Sequence, residues 1–373
     1  MITTTQPINC IIRQTSLRAL LDRARGAVGR MHPYFRLDIY LTRLTACAND
    51  MRVGIISEIN KRDDDDIKIG GTVCMPAGKM WDIISALPDK PVRMSGLVNN
   101  RLQIDCGTYS GVIACVDHEA HFPDMIVPGG SPDFECDGMF LNDIHAACGH
   151  SLGTDDSDIK SGLHIRAENG NLVGVALDGH RLSLAACAIP YDDDCEPINA
   201  GVTISGRALN EIKKLGIGSV EVRIRDNRLS IEKHHITIIS RLLDGTYPAY
   251  RRVIPTDHPN CLVVNTRGLI EIIARVTILS ESAGITLAAQ GKELTVSGEN
   301  SAGTVLDTID CEIEGEPLEI VLTPRYLLES LKSLTGSEDI VIKYRDALHS
   351  LVLIPADHSA WNERLELITP RRA

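Results

Sequence analysis

LLDGTYPAYRRVIP, residues 242–255, closes an alternating segment, HHITIISRLL, that reads as a β-strand. Asp244–Gly245 marks a turn. Two tyrosines then flank a proline, two arginines follow, and the run leaves apolar on Pro255. Proline fixes the backbone here, and the aromatic and cationic side chains are more chemistry than a plain connector uses. A second Pro- and Gly-rich stretch, HFPDMIVPGGSPDF (121–134), reads as a linker of the same kind.

The two linkers part the chain into 1–126, 132–253 and 257–373, the last with an extension at 359–373. Each part repeats one pattern twice: an extended apolar segment, a polar turn, an amphipathic helix, then more strands. The helices are predicted at 15–29, 75–87, 139–149, 204–216, 265–276 and 323–334. Between them run alternating segments such as VEVRIRDNRLSIEKHHITIISRL (220–242), with Asn, Asp or Gly at the turns. One helix on a small antiparallel sheet closes no core alone, so two units share one. The expected fold class is α+β, with three similar domains of two βαβ-type repeats each.

Length and composition agree with a multi-domain globular chain: 373 residues, 43% hydrophobic and 24% charged. No apolar run reaches the roughly 18 residues that span a bilayer. The start, MITTTQPINCIIRQTS, lacks the basic and apolar regions of a secretory signal. Eleven scattered cysteines without a C-x-x-C pair fit free thiols in a reducing cytoplasm and no zinc site. The net charge of −12 argues against a nucleic-acid partner unless cations are segregated on one surface.

The helix faces suggest that segregation. Leu17, Leu20, Leu21 and Ala24 share one stripe of the first helix, and Arg18, Asp22 and Arg25 the other. The fourth exposes Arg207, Asn210, Glu211 and Lys214. The fifth exposes Arg267, Glu271 and Arg275, and the sixth Arg325, Glu329 and Lys332. The second offers Lys79, and the third only His145. The acidic runs Asp63–Asp66, Asp155–Asp156 and Asp192–Asp194 fall in loops. Solvated helix faces account for any one of these stripes; cations on most of six equivalent helices fit a shared basic surface that meets phosphate without reading sequence.

Two motifs, VALDGHRLSLA (175–185) and LLDGTYPAYRRVIP (242–255), resemble signature segments of the bacterial DNA polymerase III beta subunit, the sliding-clamp family. Length, six-fold repeat and helix order resemble that family along nearly the whole chain, least in the first domain. The resemblance implies a head-to-tail homodimeric ring, with helices on the inner face and antiparallel sheets outside. Duplex DNA would pass through it without sequence readout. Polymerase III alpha and other polymerases would be tethered by short peptide motifs, and a clamp loader would open the ring with ATP of its own. No catalysis, cofactor, metal or membrane is implied, and no P-loop glycine–lysine motif occurs. The implied location is the cytoplasm.

Carried over residue by residue, the resemblance implies a client-peptide pocket. Leu177, Gly179, His180, Arg181 and Leu182 would form one side, and Pro248, Arg252 and Val253 another. Tyr326 and the strand Val352, Leu353, Ile354 and Pro355 would complete it. A structural role competes for three residues: Asp178 would lock a turn, Tyr247 would be core, and Arg251 would be internal. Arg30 and Arg207 would face DNA, with Arg18, Arg25 and Lys214 on the same helix faces. Lys79 would lie near a subunit interface, where Val112 and Ala114 on an edge strand meet Ile278 and Leu279 of the partner subunit.

Three departures stand out. GTDDSDIKSG (153–162) puts three Asp where the family has DNA-touching Arg and Tyr, with Lys160 the one cation. The chain runs past LVLIP through ADHSAWNERLELITPRRA, a tail that could cover the pocket, extend it, or mimic a client with Trp361, Leu365 and Leu367. ENSAGTVLD (299–307) replaces acidic residues at the expected interface strand. An alternative reading is therefore a clamp-fold paralogue that binds clients without encircling DNA. An enzyme reading has no support from a nucleophile motif such as G-x-S-x-G.

Overall fold

A computed structural model describes residues 8–155, 158–188, 196–280, 284–357 and 361–371. The chain order begins β1 (Asn9–Arg13), α1 (Gln14–Ala24), β2 (Tyr34–Ile39), β3 (Arg43–Asn49), β4 (Val53–Asn60), β5 (Asp66–Ile69), β6 (Gly71–Pro76), α2 (Ala77–Ala86), β7 (Pro91–Leu97), β8 (Arg101–Cys106), β9 (Tyr109–Ala114) and α3 (His118–His121). It continues with β10 (Phe134–Asp137), α4 (Gly138–Cys148), β11 (Gly162–Glu168), β12 (Asn171–Leu177), β13 (Arg181–Ala188), α5 (Glu196–Ala200), β14 (Val202–Ser205), α6 (Gly206–Ile212), β15 (Ser219–Arg225), β16 (Arg228–Lys233) and β17 (Ile236–Arg241). The last part holds β18 (Asn260–Asn265), α7 (Thr266–Thr277), β19 (Ile285–Gln290), β20 (Glu293–Asn300), β21 (Gly303–Glu314), β22 (Leu318–Leu322), α8 (Pro324–Ser333), β23 (Asp339–Tyr344), β24 (Leu351–Pro355) and β25 (Glu363–Ile368).

All six helices expected from apolar periodicity form. In α7, Leu269, Ile272, Ile273 and Val276 are buried at i, i+3, i+4 and i+7, and the Asn265 side chain caps the first turn by accepting from the Gly268 N–H at 3.0 Å. Hairpins close where Asn or Asp adopts positive φ, as at Asp226–Asn227 (φ 51° and 58°) between β15 and β16.

The chain forms two compact units. Met1–Gly138 and Asn210–Leu242 make the first, Met139–Leu209 and Leu243–Ala373 the second. In the first unit an eight-stranded antiparallel sheet runs β10-β15-β16-β17-β4-β3-β2-β6, beside a five-stranded sheet β5-β1-β7-β8-β9. Helix α1 packs on β3, β4 and α2, burying Leu17, Leu20, Leu21 and Ala24. In the second unit one run of twelve strands goes β14-β11-β12-β13-β25-β24-β23-β18-β21-β20-β19-β22. Helices α7 and α8 pack together there over Leu262, Val264, Leu287, Val296 and Leu353.

Two side chains expected in solvent are buried. Asp65, inside the four-Asp run, accepts the backbone N–H groups of Arg13 (3.1 Å) and Arg62 (2.9 Å), so it ties β1 to its own turn. Glu211 lies against Gly26, where an added Cβ would meet its carboxylate, and accepts from Lys214 at 2.7 and 2.8 Å.

Candidate functional site

The site grows from the place where β13 meets β25. Arg181 pairs with Ile368, Leu182 with Leu367 and Leu184 with Leu365. β25 then pairs with β24 on its other edge, Val352 opposite Leu367. The stretch expected as a tail is thus an interior strand, and it corrects the expected wall Val352–Pro355. That strand lies one position further from Leu182. Leu353 points into the core under α7 and α8, Val352 and Ile354 join the cluster of Leu177, Leu182 and Leu367, and Pro355 pairs with Ile340. Leu365 and Leu367 are core, which excludes the client-mimic reading of the tail.

β25 carries Arg364 and Glu366, both buried, on the face opposite those leucines. Glu366 accepts from Ser183 (2.6 Å), Ser330 (3.0 Å), Ser333 (3.0 Å) and Arg364 (2.6 Å), and its carboxylate lies 3.0 Å from His150 Nε2. Arg364 also donates to the carbonyls of Ala147, Leu184 and Leu365. Burial alone would raise the Glu366 pKa; the Arg364 guanidinium, His150 and Ser183 outweigh it and hold the carboxyl below its ordinary range. The alternation Arg-Leu-Glu-Leu reads as a half-solvated strand, so nothing local marks this pair as interior.

Beside this junction the Asp178–Arg181 turn is locked from within. Asp178 accepts the N–H groups of His180 (2.9 Å) and Arg181 (3.0 Å) and the Arg181 Nε (3.0 Å), which is the structural role considered for it. Arg181 is buried. It also donates to Glu329 and the His150 carbonyl, and its guanidinium lies 4.7 Å from the Tyr326 ring centre. The His180 ring stacks on the same residue, Tyr326, at 5.7 Å and 17°. Gly179 supplies the positive φ (+94°) that the turn requires and that a side chain would strain.

His180 and Tyr326 are shared by two clefts. One, of about 520 Å³, is lined by Gly179, Thr323, Leu348, Ser350, Thr369, Pro370 and Arg371. The other, of about 530 Å³, is lined by His150, Leu152, Asp178, Arg181, Arg325 and Glu329. Thr369, Pro370, Arg371 and Leu348 went unnoticed in the sequence, because only the placement of β25 brings them here. The acidic loop lies near by in sequence: Gly153 N–H donates to Lys160 O, and Lys160 is held by Asp158 at 3.0 Å.

The strap at 244–255 is seated by its tyrosines. Tyr247 stacks on His164 at 4.5 Å and 8° and donates to the Val175 carbonyl at 3.3 Å. Tyr250 bonds Glu168, and Arg251 bridges Glu168 (2.9 Å) and Glu363 (2.6 Å). Burial, with Arg166 near by, pushes His164 down to about 4. Pro248, Arg252 and Val253 stay exposed and line neither cleft. The structure therefore joins Gly179, His180, Arg181 and Tyr326 at the two clefts, and gathers Leu177, Leu182, Val352 and Ile354 with the strap residues Tyr247, Tyr250 and Ile254 in one apolar cluster.

The expected DNA-facing residues Arg18, Arg25, Arg30, Arg207 and Lys214 are all exposed. Arg25 pairs with Asp22 at 3.2 Å and covers Trp81, Lys214 pairs with Glu211, and on α7 Arg275 pairs with Asp307 at 2.7 Å. At the expected interface, Val112 and Ala114 lie exposed on β9, the outer strand of its sheet. Lys79 is exposed on α2, Ile278 is exposed at the end of α7, and Leu279 is half-buried. The ENSAGTVLD stretch turns β20 into β21, with Leu306 exposed.

Among the described residues no three His, Cys, Asp or Glu side chains could hold a metal ion, and no helix is long and apolar enough to cross a membrane. Their cysteines are free thiols, and burial pushes Cys10, Cys47, Cys74, Cys136 and Cys148 up to about 12.

The fold is that of the bacterial clamps. A crystal structure of the DNA polymerase III beta chain from Streptococcus pneumoniae superposes with a TM-score of 0.91 at 24% identity, covering 98% of this chain and 100% of that one. The DNA polymerase sliding clamp of Bacillus subtilis gives 0.91 at 22% identity over the same shares. In sequence, the beta sliding clamp of Streptococcus pneumoniae is 26% identical over 350 residues, 90% of each chain. Profiles of the DNA polymerase III beta subunit central domain and C-terminal domain match residues 144–249 and 251–365, together more than half the chain. The chain belongs to the DNA polymerase III beta subunit family, as a divergent member. It is accordingly a sliding clamp and a non-catalytic subunit.

Proposed function

We propose that two copies of the chain assemble head to tail into a ring of six similar domains around duplex DNA. The ring tethers polymerases and other replication enzymes through the clefts at His180 and Tyr326. The observation that carries this reading is the match to the clamp fold over 98% of the chain, with central and C-terminal family domains in sequence order. Exposed Arg18, Arg30 and Arg207 supply phosphate contacts that carry no sequence information. β9 supplies an edge for pairing, with Val112 opposite Ile278 of the partner subunit.

The ring is tested on DNA topology. The protein, placed on nicked circular DNA by a clamp loader and ATP, should remain bound through gel filtration and be released when the circle is linearised. Equal loss from both forms overturns encirclement. The cleft is tested by titrating a labelled Gln-x-x-Leu-Phe-type peptide. Binding in the micromolar range that Tyr326→Ala weakens at least tenfold supports it, and Pro248→Ala reports whether the strap surface belongs to the same site. Unchanged binding in both variants removes the peptide site from this region.

A further inference from the structure

The first unit holds a groove of its own, of about 610 Å³, where β4 meets β17. Its floor is Gly54 of β4 and, directly opposite in the ladder, Ile239 of β17. A strap, residues 121–127, crosses it. Asn49 Nδ2 holds the strap by donating to the Pro123 and Asp124 carbonyls at 3.4 and 3.1 Å. Phe122 sinks between Cys47 and Cys74, and the Met125 methyl occupies the space a side chain at Gly54 would fill.

Two features of the lining point to an occupant. The first is cationic. Arg228 and Arg241 stand directly opposite each other on β16 and β17, and the Arg241 N–H bonds the Arg52 carbonyl at 2.9 Å in the turn that leads into β4. All three arginines line the groove. Like charges placed opposite each other in a sheet repel, and the facing pair Arg228 and Arg241 presents cationic groups along the groove that suit an anionic ligand. Asp124 is the one carboxylate among the lining residues, against those arginines with His32 and His121.

The second feature is apolar. Met31, Met51 and Ile126 stand exposed on the rim, and Met51 is presented by a turn that Asp50 locks, accepting the Arg52 and Val53 N–H groups at 3.0 and 2.7 Å. Methionines adapt to varied apolar partners, and an apolar rim of this kind is a feature of protein-binding surfaces. A phosphate backbone would use the arginines and leave that rim in water.

We infer that this groove is a second peptide-docking site, one that takes an extended partner segment with apolar anchors flanked by Asp or Glu. It does not depend on the cleft at Tyr326. The strap is the linker at 121–134, as the strap of the second unit is the linker at 242–255, so the internal repeat sets a strap over a sheet junction twice.

The test uses fluorescein-labelled Asp-Glu-Leu-Phe-Asp-Leu-Glu, its counterpart with Lys at every acidic position, and a labelled oligo-dT strand, each titrated by anisotropy against the full chain. The acidic peptide should bind in the micromolar range, weaken with salt, and lose at least tenfold in Arg228→Glu and in Ile126→Asp. Tyr326→Ala should leave it unchanged. Arg228→Glu paired with Arg241→Glu should instead gain affinity for the Lys peptide, a result that misfolding cannot produce. The inference is overturned if the acidic peptide fails to bind or if Tyr326→Ala abolishes its binding. It is also overturned if both peptides bind alike, or if oligo-dT binds through the same arginines while the peptide does not.

Discussion

Two straps cross two sheet junctions in this chain, and they seat differently. Over β13 and β25, Tyr247 and Tyr250 both enter the cluster of Leu182, Leu365 and Leu367, and two buried rings pin an otherwise exposed strap. Over β4 and β17, Phe122 enters beside Cys47 and Cys74, Met125 leans on Gly54, and a groove stays open. The junctions also differ beneath. β25 brings a buried ion pair, Arg364–Glu366, with serines around it; the ladder opposite Gly54 offers Ile239 instead. A repeated architecture thus yields a closed seam or a binding surface according to how many large rings the linker carries and what the sheet below leaves room for.

The largest break in this comparison is expected from Glu366→Ala. It leaves the Arg364 guanidinium buried without its carboxylate, and should cost about 3–5 kcal/mol in urea unfolding. A loss under about 1 kcal/mol would mean that water or the serines replace the pair. Next comes the strap. Tyr247→Ala should cost about 3–5 kcal/mol, and Phe122→Ala should sit at the low end of that range because the open groove lets the site collapse. A larger loss at Phe122 would reverse the ranking of the two seams.

A pH effect is third. His164, under Tyr247, has its folded pKa pushed down to about 4, below the ordinary 6.5 of the unfolded chain. The unfolded state therefore binds the proton first. Stability from this group is complete above about pH 6.5 and falls as pH drops toward 4, by on the order of 2 kcal/mol. His164→Phe should flatten that part of the stability profile; an unchanged slope would assign it to other groups. The smallest effect belongs to the groove rim. Met31→Ser and Met51→Ser should change stability by no more than about 0.5 kcal/mol, and a larger loss would make those side chains packing rather than surface.

Helices and linkers were legible because apolar periodicity and Pro–Gly punctuation are local signals. Leu269, Ile272, Ile273 and Val276 declare a helix whatever surrounds them. The turn lock at Asp178 and the core role of Tyr247 were legible for the same reason. Strand adjacency was not. LVLIP reads as the closing strand and RLELITP as part of a tail, and only the ladder decides that the second lies between Leu182 and Val352. Arg364 and Glu366 carry no local mark of burial, because interior charges look like exterior ones until their partners, Ser183, Ser330 and Ser333, arrive from elsewhere. The three arginines of the groove were hidden likewise: Arg228 and Arg241 meet only across a ladder, and Arg52 reaches them from the turn before β4.

The place of β25 has a consequence for biosynthesis. Ser183 and Glu366, bonded neighbours in the finished sheet, are 183 residues apart in the chain. At roughly 5–20 residues per second of translation, β13 leaves the ribosome some 10–40 s before its neighbour exists. During that interval one edge of β13 has open backbone groups, and an open edge pairs with whatever strand it meets. A nascent chain of this protein is therefore exposed to mispairing in the span between the two strands, and β4 of the first unit, which waits for β17 over a similar length of chain, shares that exposure.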